Sequence, residues 1–275
     1  MVGGASMLKQ RIITGTLLIL FSLFILFYFT PPQFCIATAL LMLWGAWEWT
    51  KLMSLRRTLP RLGYVTLMAA CLFGALFVPV ALILGMATCF WLIALLLVCF
   101  YPTGSRWWGR GMMLRGVMGL FVLLPCWAAL NEIRQDQDGL PAIIFLFVLI
   151  WGADSVAFFV GKKWGKHRLA PRVSPLKSIE GVVGACVFAV LYTIAALILM
   201  HAPFALWGWV ILFSCVVVLF SVVGDLFESM LKRQVNLKDV SQLLPGHGGL
   251  LDRIDSLLAA APLFAFGALL FRLYL

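Results

Sequence analysis

The length of its apolar runs constrains this chain more than any other feature. Several stretches stay apolar for about twenty residues, the length that a helix rising 1.5 Å per residue needs to cross roughly 30 Å of hydrocarbon. In lipid every backbone N–H and C=O must find a partner within the protein, which leaves only helices or a closed barrel. The runs lack the ten-residue alternation of barrel strands, so they predict helices. Composition agrees: 63% of the residues are hydrophobic and only 12% are charged, whereas soluble domains carry about 25% charged residues. The expected fold is an all-α integral membrane protein.

Apolar segments predict nine spans, near 12–30, 34–50, 63–79, 82–100, 112–130, 140–160, 181–201, 203–224 and 256–274. Pro31-Pro32 and Pro79 mark reversals, because proline resists continuation of a helix. The first run follows Lys9 and Arg11 and is longer than the apolar core of a signal peptide. It also lacks a small-residue cleavage site, which predicts an uncleaved first span. No lipidation motif is expected. Basic residues test this division, since cytoplasmic loops collect them. With the N-terminus inside, all of the 21 Lys and Arg residues except Arg134 and Arg272 fall on the cytoplasmic side. The predicted topology is therefore nine spans, N-terminus cytoplasmic and C-terminus outside. Residues 1–110 are expected to form a transmembrane scaffold and 111–275 a catalytic region, within one continuous membrane domain.

The net charge of +10 does not imply nucleic acid, because the basic residues sit in short loops where anionic lipid headgroups attract them. Trp44, Trp47, Trp49, Trp107, Trp108, Trp151 and Trp164 lie near span ends and read as interfacial anchors. The seven cysteines all lie in apolar stretches without a C-x-x-C pair, which predicts free, buried thiols.

Only eleven residues are acidic, so their placement carries information. Glu132, Asp136 and Asp138 fall in an outer loop. Asp154 lies within the sixth span, Glu180 opens the seventh, Asp225 and Glu228 end the eighth, and Asp252 and Asp255 open the ninth. A carboxylate at bilayer depth costs about 2.5–3.5 kcal/mol on insertion scales unless it is paired or faces water. Asp225/Glu228 and Asp252/Asp255 are each spaced i, i+3, which puts both members of a pair on one helix face. Two such pairs make an oxygen-rich cage suited to a hard cation such as Mg²⁺. The plainer alternative is that they neutralise Lys232, Arg233 and Arg253.

Between the pairs run Lys232-Arg233, Lys238-Asp239 and Leu244-Pro245-Gly246-His247-Gly248-Gly249-Leu250. Glycines allow close backbone approach to a ligand, and successive N–H groups can form an anion nest. Nearby Lys and Arg add charge-assisted bonds to phosphate. His247 could orient phosphate, transfer a proton or simply cap the loop. The 161–180 segment has a similar character, with Lys162, Lys163 and Lys166 followed by Ser174-Pro175-Leu176-Lys177-Ser178-Ile179-Glu180-Gly181.

The stretch from Ser229 through Leu231-Lys232-Arg233, Lys238-Asp239, Ser241, Leu244-Pro245, His247-Gly248-Gly249-Leu250 and Asp252-Arg253-Ile254-Asp255 resembles the signature of the phosphatidate cytidylyltransferase (CDP-diacylglycerol synthase) family. Gly224-Asp225-Leu226, Asp154-x₂-Ala157-x-Phe159-x-Gly161-Lys162 and Leu169-Ala170-Pro171 are similar to the family as well. One departure stands out. The family commonly carries Ser-Pro-Lys-Lys-Thr-x-Glu-Gly, whereas here Leu176 replaces a lysine and Ser178 a threonine.

The resemblance implies transfer of a cytidylyl group from CTP to phosphatidic acid, giving CDP-diacylglycerol and pyrophosphate. It implies Asp225 and Asp252 as metal ligands, with Glu228 and Asp255 as ligands or their support. Lys232, Arg233, Lys238 and Arg253 would hold phosphates. Ser174, Lys177 and Glu180 would line the site from across the bundle, joined by Ser229, Asp239, Gly248 and Gly249 from the signature, and Asp154 would support the acids. The implied cofactor is Mg²⁺, as one ion or two, with a monovalent cation as a further candidate. The implied partners are CTP, phosphatidic acid, membrane lipids and a second copy in a homodimer. The compact chain suggests the inner membrane of a bacterium. Competing readings are a divergent paralogue acting on another lipid phosphate, a CTP-dependent lipid kinase, an inactive membrane partner, and a secondary transporter. The transporter should hold its acids near the midplane between repeats.

Overall fold

The structure, a computed structural model, describes residues 3–105, 111–136, 138–241 and 248–274. Its elements in chain order are α1 (Gly3–Tyr28), α2 (Pro31–Leu52), α3 (Thr58–Ala75), α4 (Val80–Cys99), α5 (Met112–Gln135) and α6 (Gly139–Trp164). A short hairpin follows, β1 (Arg168–Ala170) and β2 (Ser174–Ser178), and then α7 (Ile179–Leu199), α8 (Phe204–Gln234) and α9 (Leu251–Tyr274). The nine helices of the described residues coincide with the nine expected spans. Seven of them, α3 to α9, are long and apolar enough to cross a membrane. The protein is an all-α multi-pass membrane protein.

Helix ends follow local chemistry. Pro31 and Pro32 occupy the first turn of α2, where a missing N–H costs nothing, and Gln33 accepts from the Thr30 backbone N–H. Pro79 precedes α4. Ser178 starts α7, its hydroxyl accepting from the Gly181 N–H at 3.1 Å, as an N-cap side chain does. That explains why a serine can stand in for threonine at this position.

Several boundaries differ from expectation, and two of them bear on the site. Helix α8 does not stop at residue 224 but runs to Gln234, 31 residues in all, or about 46 Å. The extra turns carry Asp225, Glu228, Ser229, Lys232 and Arg233 on one continuous helix. Helix α9 begins at Leu251 rather than near 256, so Asp252 and Asp255 sit in its first turns. The hairpin is also new: β1 and β2 pair antiparallel, Arg168 opposite Ser178 and Ala170 opposite Ser174.

Helix α9 occupies the centre, packed on α8, α5, α4 and α6. Phe227 of α8 meets Trp91 and Phe90 of α4 edge-on, each at 5.7 Å between ring centres. The end of α2, the start of α5, the hairpin, the end of α8 and the start of α9 share one end of the bundle. Arg115 donates to the Leu52 carbonyl at 2.8 Å, Lys177 pairs with Asp225, and Lys232 pairs with Asp252. Arg115, Lys177 and Lys232, from three of the expected basic loops, therefore lie at contacts between these segments.

Two side-chain expectations are corrected. Trp49 is not an interfacial anchor. It is buried, and its indole N–H donates to the Arg115 carbonyl at 2.8 Å. All seven cysteines are free, but only Cys126 is fully buried, and Cys89 and Cys99 are exposed on α4. Lipid and core are equally apolar, so an apolar run does not reveal which of its faces turns inward. Trp107 and Trp108 lie outside the described residues.

Candidate active site

The acid-bearing helices α8 and α9 touch because Gly224 lets them. A Cβ at 224 would collide with the Asp255 carbonyl oxygen and lie 2.9 Å from the Ala259 Cβ. This contact brings the two i, i+3 pairs face to face.

Lys232 joins the pairs. Its ammonium lies 2.7 Å from Asp252 Oδ1 and 3.3 Å from Glu228 Oε1. The longer approach lacks hydrogen-bond geometry, and neither buried Glu228 oxygen has a hydrogen-bond partner. Lys177, from β2, donates to Asp225 Oδ2 at 2.7 Å, and the Ser229 hydroxyl donates to Asp225 Oδ1 at 3.2 Å. Asp255 stands within Coulombic reach of Asp225, Glu228, Lys232 and Lys177. Asp154, on α6, is half-buried. Three carboxylates from two helices thus pair with two lysines.

Asp252 has a second task. Its Oδ2 accepts from the backbone N–H of Val240 at 3.0 Å and of Gly249 at 2.8 Å. It ties residue 240 to residue 249. Gly248 has φ of 82°, and a Cβ there would lie 2.9 Å from Asp252 Oδ2. Only glycine combines that backbone conformation with that approach.

Other expected residues lie around this centre rather than in it. Arg233 is exposed and donates to the Val173 carbonyl at 3.2 Å, fastening the end of α8 to the hairpin. Glu180 pairs with His167 Nδ1 at 2.7 Å and accepts from the His167 N–H, closing the base of the hairpin. Lys238, Asp239 and Arg253 are exposed, and Ser174 is half-buried. His247 lies outside the described residues. Leu176 is 81% exposed, while its neighbour Lys177 turns inward to Asp225. Period-two alternation of a strand puts adjacent side chains on opposite faces. The lysine retained here is therefore the one that reaches the acids.

The donor set suits a hard cation: carboxylate oxygens, mostly buried, in excess over the lysines beside them, with neither Glu228 oxygen hydrogen-bonded. Among the described residues, no three acidic, histidine or cysteine side chains converge as a ready-made metal site. Lys177 and Lys232 hold the acids instead.

Sequence reasoning missed Glu48. It is the only acidic residue before Glu132, and that isolation within an apolar run was the available signal.

Comparison with known proteins identifies the family. The model of the Cytidylyltransferase family matches residues 9–271. A phosphatidate cytidylyltransferase of Haemophilus influenzae is 38% identical over 286 residues, covering 94% of this chain and 98% of its own. One from Pseudomonas aeruginosa is 41% identical over 261 residues, covering 94% and 96%. One from Brucella abortus is 36% identical over 274 residues, covering 96% and 94%. The fold, the acid-bearing helix pair and the near-full-length match lead to one conclusion: this chain belongs to the cytidylyltransferase family.

Proposed function

We infer that this chain is a phosphatidate cytidylyltransferase, which transfers the cytidylyl group of CTP to phosphatidic acid and releases pyrophosphate. The observation that carries the activity is identity of 38–41% with relatives of that name over nearly the whole chain. A phosphatidate oxygen attacks the α-phosphorus of CTP. A new P–O bond forms there, and the bond to the bridging oxygen breaks as pyrophosphate leaves.

The site must bring two phosphate-bearing anions together, and the cluster at the end of α8 and α9 supports that task. We assign Asp225 and Asp252 as first ligands for Mg²⁺, with Glu228 and Asp255 completing or supporting the set and Asp154 behind them. Mg²⁺, when bound, supplies charge neutralisation on the reacting phosphates. Lys177 and Lys232, extended across the acids, would donate to phosphate oxygens once a triphosphate enters. Preorganised donors of this kind stabilise charge that grows in the transition state. Arg233, Lys238 and Arg253, on the exposed rim, would draw CTP inward. Ser174, Glu180, Ser229, Asp239, Gly248 and Gly249 would shape the walls, and His247 would act at the same loop.

The basic loops at this end favour the cytoplasmic face of a bacterial inner membrane, where the lipid phosphate lies at headgroup depth and CTP is available. A homodimer is part of the same reading. The division into a scaffold, 1–110, and a catalytic region, 111–275, follows the placement of the acids.

The test is pyrophosphate release from purified protein in detergent, supplied with CTP, phosphatidic acid and Mg²⁺. Release that needs all three components and is lost in Asp252→Asn supports the reading. Release of CDP with a phosphorylated lipid would instead identify a CTP-dependent lipid kinase.

A further inference from the structure

Glu48 comes from α2, among the helices that otherwise supply only apolar packing near the site, yet it is 1% exposed. Its Oε1 accepts from the Ser241 hydroxyl. Its Oε2 accepts from the Leu251 backbone N–H at 2.9 Å. These partners are 193 and 203 residues away in sequence, and they flank the two ends of the connection between α8 and α9.

The approach is close by design of the backbone. A Cβ at Gly249 would lie 2.7 Å and 3.0 Å from the Glu48 oxygens and 3.0 Å from Ser241 Oγ. Gly45, one turn earlier on the same face of α2, would place a Cβ 3.2 Å from Leu251. Burying a carboxyl group is costly unless hydrogen bonds offset the lost water. An apolar side chain would seal this helix junction at lower cost. A carboxyl group offers something an apolar residue lacks, two acceptors at fixed separation.

Asp252 grips the same connection one residue away on the α8 side and two on the α9 side, through the N–H groups of Val240 and Gly249. The two carboxyl groups therefore act in parallel: Asp252 holds 240 to 249, and Glu48 holds 241 to 251. We propose that Glu48 is a positioning residue for the cytidylyl-transfer reaction. It fixes residues 240–241 against 248–251 and so holds Asp252 in place as a metal ligand and, through it, Lys232 toward the reacting phosphates. The proposal rests on Asp252 being a site residue, as assigned above.

The experiment compares Glu48→Ala, Glu48→Gln, Ser241→Ala and Asp252→Asn with wild type in detergent, measuring kcat, KM for CTP and thermal midpoint. Misplacement of a reacting group by about 1 Å can cost on the order of 100-fold in rate. Glu48→Ala is therefore expected to lower kcat at least about tenfold per folded molecule, with KM for CTP little changed. Gln keeps an acceptor for Leu251 and a donor for Ser241, so it should recover most of the rate. Ser241→Ala should fall between, and its effect should vanish in the Glu48→Ala background, because groups in one network are non-additive. Wild-type kcat in folded Glu48→Ala overturns the proposal. If Glu48→Ala does not fold, wild-type kcat in Ser241→Ala overturns it, and a loss there supports it. A dead Asp252→Asn beside a fully active Glu48→Ala removes this inference alone. Wild-type turnover in Asp252→Asn removes the site reading and this inference together.

Discussion

Helices α1 to α4 and helices α8 and α9 are built from similar apolar alphabets, yet they spend their polar residues differently. In the first group, polar side chains mostly close local accounts. Thr38 and Thr88 donate back to carbonyls one turn away, while Tyr64 donates across to the Gly116 carbonyl of α5 at 2.9 Å. In the second, charges face each other across a helix gap that Gly224 keeps narrow, and one lysine serves two acids. The difference teaches that burial alone does not mark a site here. What marks it is a surplus of like charge that its neighbours do not satisfy.

The sharpest way to break this contrast is to remove the surplus. Asp252→Asn should lower pyrophosphate release by about 10²–10³-fold, the scale of losing a preorganised electrostatic group. Membrane insertion should stay normal. Wild-type turnover in purified Asp252→Asn would sink the assignment of this cluster as the reaction centre.

Next comes the shared lysine. Lys232→Met leaves Glu228 and Asp252 facing each other without a cation. Breaking a buried ion pair by removing one partner costs about 3–5 kcal/mol, so the thermal midpoint should drop along with the activity. Lys232 is nearly buried, so solvent screens this loss little. Added Mg²⁺ should restore part of the midpoint if the uncompensated carboxylates take up the ion. A midpoint unmoved by either change would show that the acids are not coupled through Lys232.

The first group answers differently. Tyr64→Phe removes one hydrogen bond to a buried carbonyl and should cost about 1–3 kcal/mol of stability. The specific activity of the folded protein should be that of wild type. A fall in kcat without a fall in stability would mean that the first helices take part in the reaction well beyond Glu48.

This contrast also explains what the sequence could reveal. All nine helices were legible, because lipid demands long apolar runs whatever their packing. The acid pairs were legible too, since charge is rare in such a chain and i, i+3 spacing fixes a face. The hairpin at 168–178 was not: three- and five-residue strands are too short to show a period. Trp49, Cys89 and Cys99 were misplaced because hydropathy does not separate lipid from core. The extra turns of α8 escaped because Lys232 and Arg233 look like the end of a span when they in fact ride on its helix. Glu48 was visible as a lone acid, but its partners lie about 200 residues away, and no spacing rule reaches that far.

The smallest expected effect belongs to the residue that most set this chain apart in sequence. Leu176 replaces a lysine that the related motif carries, which on sequence alone suggests a missing phosphate contact. Strand β2 places it on the outer face, 81% exposed, while Lys177 reaches Asp225 from the inner face. Leu176→Lys should therefore change kcat and KM for CTP by less than about twofold, since exposed charges contribute little beyond long-range attraction. What effect it has should fade with added salt, as screening removes that attraction. Lys177→Leu, one residue along, should instead free Asp225 of its ion pair and cost most of the activity. If Leu176→Lys raised turnover severalfold at high salt while Lys177→Leu left it intact, the hairpin would have to present its opposite face to the acids during the reaction, and the geometry around Asp225 would need to be redrawn.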